Sequence, residues 1–215
     1  MTKKEKLYPC RLYLITPPDI GGKATKKFSE ILEATLNAGD IACVQLRLKD
    51  SDDALRRTTE KLMPLVQKYD VAFILNDNVK IAAEFGCDGI HIGQSDMPYE
   101  KARKMVGDHA IVGVTCHDST HLAMQASEAG ADYVAFGAFF KSSTKVRRFT
   151  PKINILTDWS ETTTVPCVAI GGITVKNCET IIRAGADFIA VSNGVWGYKD
   201  GPEAAVKIFN NILVG

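Results

Sequence analysis

The sequence predicts an α/β fold, a single (β/α)8 TIM barrel spanning 1–215 with 1–10 as an N-terminal tail. Short runs of β-branched and apolar residues alternate with longer stretches of helical period, the pattern of a parallel sheet with helices packed outside. The alternation occurs eight times, which favours a closed barrel over an open doubly wound sheet. A weak internal repeat agrees with this. Glycine, aspartate and an apolar run recur as Gly39-Asp40-Ile41, Gly86-Cys87-Asp88, Gly130-Ala131-Asp132 and Gly185-Ala186-Asp187, once every two strand-helix units. Each glycine is expected to supply the left-handed residue after a helix, and the aspartate turn then feeds a strand.

The expected strands are Arg11–Thr16, Ala42–Arg47, Ala72–Leu75, Gly89–Ile92, Ile111–Val114, Tyr133–Phe136, Cys167–Ile170 and Phe188–Val191. The helices between and after them are Thr25–Asn37, Ser51–Lys68, Val79–Phe85, Tyr99–Met105, Ser119–Ala129, Lys152–Trp159, Val175–Ala184 and Pro202–Leu213. In the second helix Ser51 is a cap, and Asp52 and Asp53 sit where the helix dipole favours negative charge. Leu55, Leu62 and Leu65 mark its inward stripe. The helix from Ser119 places Leu122, Ala126 and Ala129 at helical spacing before Gly130 ends it. The length leaves little room for a second domain, since about 250 residues is typical of this barrel.

Composition narrows the partners. Lys+Arg 26 against Asp+Glu 25 gives a formal charge of +1, too little to attract nucleic acid or an anionic membrane in bulk. The longest apolar stretches, such as Ile111–Val114 and Val165–Ile170, fall far short of the roughly 20 residues that cross a bilayer. Pro9 and Arg11 interrupt any signal core after Lys3, Lys4 and Lys6, so a cytoplasmic chain is expected. Its partners are then small molecules rather than nucleic acid or membrane, and assembly as a homo-oligomer is compatible with the sequence. The six cysteines, at 10, 43, 87, 116, 167 and 178, form no CxxC pair and read as reduced structural thiols.

In such a barrel the reactive face carries the C-terminal ends of the strands. Those positions are polar here. Gln45, Arg47 and Lys49 follow the second strand; Asn76 and Asp77 the third; Gln94 and Asp96 the fourth; Thr115 and His117 the fifth. Ser142, Ser143, Thr144 and Lys145 follow the sixth, Gly171-Gly172 the seventh and Ser192-Asn193-Gly194 the eighth. Acids and bases together on one face suit a polyanion held with a divalent metal. Asp77 and Asp96 are hard oxygen ligands of the kind Mg²⁺ accepts while bridging substrate phosphates. Arg47, Lys49 and Lys145 would neutralise phosphate oxygens directly. The glycines after strands seven and eight suit a backbone phosphate cradle. Two phosphate-recognising regions imply one large polyphosphate or two phosphorylated substrates, and the second suits a transferase. His91, alternating within the fourth strand, and Trp196, expected beneath the last helix, are read as structural.

Several motifs then carry a resemblance. QLRLK at Gln45–Lys49, ILND at Ile74–Asp77, DGIHIGQSD at Asp88–Asp96, GVTCH at Gly113–His117, GADYVAFGAFF at Gly130–Phe140, STK at Ser143–Lys145 and AIGGIT at Ala169–Thr174 resemble thiamine phosphate synthase, in order from about Leu12 to Phe209. That family is a (β/α)8 barrel that joins hydroxymethylpyrimidine diphosphate to thiazole phosphate with Mg²⁺ and releases pyrophosphate. The resemblance implies that Gln45, Arg47, Lys49 and Asn76 bind the pyrimidine diphosphate, that Asp77 and Asp96 hold the metal, and that Thr115 lies at the pyrimidine side. It also implies that Lys145 contacts the diphosphate, and that Ser142, Ser143 and Thr144 with Gly172, Ser192 and Asn193 hold the thiazole phosphate. Arg47, Lys49 and Lys145 are the catalytic cations of this reading.

The chain departs from the family pattern at Leu48, where an acid is usual, at Lys141–Thr144, where a proline-containing loop is usual, and at Ser192-Asn193. The chain is also similar to thiazole tautomerase, a related barrel, and that likeness would make His117 a general base. The diphosphate-binding set favours the synthase, since most of it would have no task in a thiazole-directed isomerase. A silent barrel that binds a phosphorylated metabolite is the remaining reading, permitted by the altered loop at Lys141–Ser143.

Overall fold

Leu12 and Leu14 face the surrounding helices while Tyr13 and Ile15 point into the barrel, the period-2 alternation of a strand buried on both sides. In the computed structural model, which describes residues 9–141 and 149–214, that strand is β1 (Arg11–Ile15). It is followed by β2 (Cys43–Leu46), β3 (Ala72–Asn76), β4 (Gly89–Ile92), β5 (Ile111–His117), β6 (Tyr133–Gly137), β7 (Cys167–Ile170) and β8 (Phe188–Val191). Each pairs in parallel with the next, and β1 pairs with β8 to close the barrel. The helices are α1 (Ala24–Leu36), α2 (Asp52–Gln67), α3 (Val79–Phe85), α4 (Tyr99–Val106), α5 (Thr120–Ala129), α6 (Asn154–Thr162), α7 (Cys178–Arg183), α8 (Asn193–Trp196) and α9 (Pro202–Val214). Among the described residues, none of them is long and apolar enough to cross a membrane.

The expected strands agree closely, except that β5 runs on to His117. The short helix α8 is an addition to the expected elements. It grows directly from the Ser192-Asn193-Gly194 turn. Ser51 caps α2 as expected, its hydroxyl accepting from the Ala54 amide at 3.3 Å. Cys10, assigned to the tail, is buried in the outer core, so the packed chain begins before Arg11. Trp196 is packed against the outer core, and its helix α8 contacts the last helix, α9. Its ring meets Phe28 of α1 edge-on at 5.0 Å, and its Nε1 donates to Ile15 O at 2.7 Å, pinning α8 to the end of β1.

The glycine-aspartate repeat has a physical basis at the N-terminal ends of the strands. Asp88, Asp132 and Asp187 each accept, through Oδ2, the backbone N–H at or near the start of the preceding strand: Phe73, Val112 and Cys167, at 2.7, 2.7 and 2.8 Å. Each aspartate thus buckles one strand to the next at every second unit. Asp40 does the same task differently, pairing bidentately with the Arg11 guanidinium of β1. Gly86, Gly130 and Gly185 are left-handed as expected. Gly39 is not; it gives room to Asn210, whose Nδ2 donates to Asp40 O at 2.9 Å.

Candidate active site

Asp77 and Asp96 follow the C-terminal ends of adjacent strands, β3 and β4. Asp77 sits in the left-handed region, φ 63°, which aspartate tolerates better than most residues. The turn is held by the Asp77 amide donating to His91 O at 2.9 Å and by Asn78, whose side chain accepts from Ile81 N and caps α3. Asp96 is half-buried, and its Oδ2 accepts from the Gly93 amide at 2.7 Å, with no described group on Oδ1. One oxygen is therefore fixed and the other is left for a ligand.

A metal can be tested against these groups. Among the described residues no three His, Cys, Asp or Glu side chains gather at one point. An all-protein cage for zinc or calcium is therefore not built by them. Two carboxylates on neighbouring strand ends fit Mg²⁺, which keeps several waters and takes one or two carboxylates plus substrate oxygens. Asp77 and Asp96 would hold it.

Arg47 lies just past β2, half-buried, with its amide donating to the Thr16 hydroxyl at 3.0 Å. Thr16, fully buried at the end of β1, was not singled out in the sequence. It also offers its carbonyl to Ser192 Oγ at 3.5 Å and so ties β1, β2 and β8 together at the reactive end. Lys49 is exposed, its amide donating to Pro18 O. Asn76 is the last residue of β3, paired with His91. Gln45 is buried inside the barrel, and Thr115 lies across on β5, where Gln94 Nε2 donates to its carbonyl at 2.6 Å.

The strand ends of β7 and β8 approach each other closely. Gly172 is left-handed, φ 66°, and a Cβ there would fall 2.4 Å from Lys141 O. A Cβ on Gly194 would fall 2.3 Å from Ile173 O. Only glycine lets these backbones approach so closely, Gly172 against the segment after β6 and Gly194 of α8 against the segment after β7. Ser142, Ser143, Thr144 and Lys145 lie outside the described residues.

His117 is the last residue of β5. A register shift between Thr115 and His117 relative to β6 interrupts the alternation, and His117 adopts φ 56°. Its ring stacks on Phe149 at 4.2 Å and 22°.

His91, by contrast, points into the barrel and is buried among polar groups. Nδ1 lies 2.9 Å from Tyr133 OH and Nε2 lies 2.7 Å from Thr115 Oγ1. Burial pushes its pKa down to about 4; the Asp96 charge opposes that shift and the Arg47 charge adds to it. Arg47 and Asp96 follow the C-terminal ends of β2 and β4, on the two sides of β3. At the opposite end of the barrel an open cavity of about 750 Å³, lined by Gln67, Asp70, Asp88 and His109 among others, gathers no comparable set.

Comparison with known proteins identifies the family. The family model described as thiamine monophosphate synthase (TMP-TENI) matches residues 12–195. A thiamine-phosphate synthase of Rhodospirillum centenum is 59% identical over 207 residues, covering 96% of this chain and 99% of that protein. One of Hyphomonas neptunium is 47% identical, covering 94% and 93%. The solved thiamine phosphate pyrophosphorylase of Pyrococcus furiosus superposes with a TM-score of 0.81 at 28% identity, covering 95% of each chain. With the model spanning most of the barrel and such relatives matching it nearly end to end, the chain belongs to the thiamine monophosphate synthase family.

Proposed function

We propose that the protein joins a hydroxymethylpyrimidine diphosphate to a thiazole phosphate, giving thiamine phosphate and pyrophosphate. The observation that carries this reading is the pair Asp77 and Asp96 after the adjacent strands β3 and β4, with Arg47 just past the neighbouring β2. When bound, Mg²⁺ supplies charge neutralisation of the diphosphate leaving group.

In this reading the bond between the pyrimidine methylene carbon and the diphosphate oxygen breaks first, and its electron pair leaves with pyrophosphate. The electron-rich aminopyrimidine stabilises the methylene cation. The thiazole nitrogen then gives its lone pair to that carbon. Arg47 and Lys49 stabilise the departing charge, Gln45, Asn76 and Thr115 orient the pyrimidine, and Gly172, Ser192 and Asn193 seat the thiazole phosphate. No protein nucleophile is needed, so the barrel's work is to align two substrates and exclude water. Six buried cysteines with no disulfide between them support a reducing, cytoplasmic setting.

The test is to incubate the protein with both phosphorylated substrates and Mg²⁺ and to follow pyrophosphate and thiamine phosphate. Both should appear together. Substrate binding without pyrophosphate would instead support a silent barrel, and isomerisation of the thiazole alone would support a tautomerase.

A further inference from the structure

Five side chains form a continuous hydrogen-bonded chain through the barrel interior. Gln45 Nε2 lies 2.9 Å from Tyr13 OH, Tyr13 OH lies 2.8 Å from Tyr133 OH, and His91 links Tyr133 OH at 2.9 Å to Thr115 Oγ1 at 2.7 Å. The rings are also packed together. Tyr133 stacks on His91 at 5.6 Å and 17°, and meets Tyr13 edge-on at 5.9 Å.

The protons in this chain can be counted. An amide nitrogen only donates, so Tyr13 OH accepts from Gln45 and passes its own proton to Tyr133 OH. The Tyr133 proton must then go to His91 Nδ1, which has to be bare. The ring proton is therefore on Nε2, and it goes to Thr115 Oγ1. A proton on Nδ1, in either the other neutral tautomer or the imidazolium, would leave one tyrosine hydroxyl proton without an acceptor. Tyr13 and Tyr133 are 3% and 6% exposed, where an orphaned donor has no water to turn to.

We infer that His91 is a positioning residue, held as the neutral Nε2–H tautomer, which makes Thr115 a hydrogen-bond donor toward substrate while Gln45 presents its carbonyl oxygen as an acceptor. Among the described residues no group takes the Thr115 hydroxyl proton. The polarity of the whole interior is set at one end by the Gln45 amide and delivered at the other by Thr115. The complementary ligand carries a ring acceptor and an amino donor on its edge, as an aminopyrimidine does. Its oxo counterpart reverses both and meets unpaired groups. The inference rests on the proposed roles of Gln45 and Thr115 at the pyrimidine side.

The tautomer can be read independently of catalysis. ¹⁵N-histidine-labelled, ligand-free wild-type protein at neutral pH is examined by two-bond ¹H–¹⁵N correlation, with His91→Gln identifying the resonance. His91 should be entirely Nε2–H. A protonated Nδ1 overturns the inference, even in a protein that proves to be a working synthase. In steady-state kinetics Tyr133→Phe, which breaks the chain without touching Thr115 or Gln45, should raise KM for the pyrimidine diphosphate by about 10- to 100-fold and leave KM for the thiazole phosphate unchanged. His91→Gln, which retains an N–H donor, should keep more of that affinity than His91→Leu. The oxo analogue should turn over at least about 100-fold less efficiently. Equal loss for both substrates, or no loss in Tyr133→Phe, would also overturn the inference. A wild-type protein that forms no product would sink the proposed activity while leaving the tautomer result standing.

Discussion

Gly113 and Tyr133, paired on β5 and β6, share one volume: a Cβ on Gly113 would lie 1.9 Å from Tyr133 Cζ. The phenol ring lies over the strand where a side chain would otherwise stand. β5 gives up that side chain so that one hydroxyl can reach both Tyr13 and His91. Gly113→Ala should therefore push the ring off its partners at a cost of about 1–3 kcal/mol, the range for overpacking. Urea unfolding would show a lower midpoint at unchanged slope. An unchanged midpoint would mean that the ring has room to move.

How much of this was legible in the sequence depended on range. Periodicity is local, so Leu12 to Ile15 and Ala24 to Leu36 announce themselves and all eight strands are found. The candidate acids were legible for the same reason, because Asp77 directly follows β3 and Asp96 lies in the short segment between β4 and α4. The interior chain was not. Tyr13 and Tyr133 read as ordinary strand residues, and their meeting spans 120 positions. The available signal was Gly113, since glycine inside a strand marks a close approach. The β5 register shift had no signal, and α8 was hidden because Ser192-Asn193-Gly194 also reads as a turn. Gly39 shows the opposite case: the repeat marked it correctly, but its task is to admit Asn210 rather than to adopt positive φ.

Thr58 and Thr59 in α2 are 1% and 0% exposed, and neither hydroxyl has a hydrogen-bond partner among the described residues. A buried unpaired hydroxyl costs its desolvation and gains nothing, so replacing it with a methyl of similar shape removes a penalty. Thr59→Val should stabilise the protein by about 1 kcal/mol, read as a higher urea midpoint. A drop in stability would reveal an acceptor that the hydroxyl uses.

The six cysteines are buried, and none is joined in a disulfide. Burial pushes Cys87 and Cys116 up to about 12, with the Asp88 charge adding to the shift at Cys87, and raises Cys43 further still. A raised pKa holds the thiol protonated, whereas an exposed cysteine is about half thiolate near pH 8.5. The folded protein should therefore resist alkylation between pH 7 and 9, and the unfolded chain should label with a rate that climbs through that window. Rapid labelling of Cys87 or Cys116 in the folded protein would contradict this.

Asp77 and Asp96 separate charge from structure when each is changed to asparagine. Asparagine tolerates φ near 60°, so Asp77→Asn keeps the turn that its left-handed backbone makes after β3. In Asp96→Asn the side-chain oxygen can still accept from the Gly93 amide. Neither change empties a packed space, and thermal midpoints should move by no more than about 2 °C. What each removes is a carboxylate that, in the proposed function, would hold the metal against the leaving diphosphate. kcat should fall by about 10²- to 10³-fold, and the Mg²⁺ concentration for half-maximal rate should rise. Because the two carboxylates would share one ion, the double variant should be little slower than the worse single one, as expected for groups that act as a unit. Full activity in either single variant would remove that residue from the metal site, and strictly additive losses would mean that the two acids act at separate points.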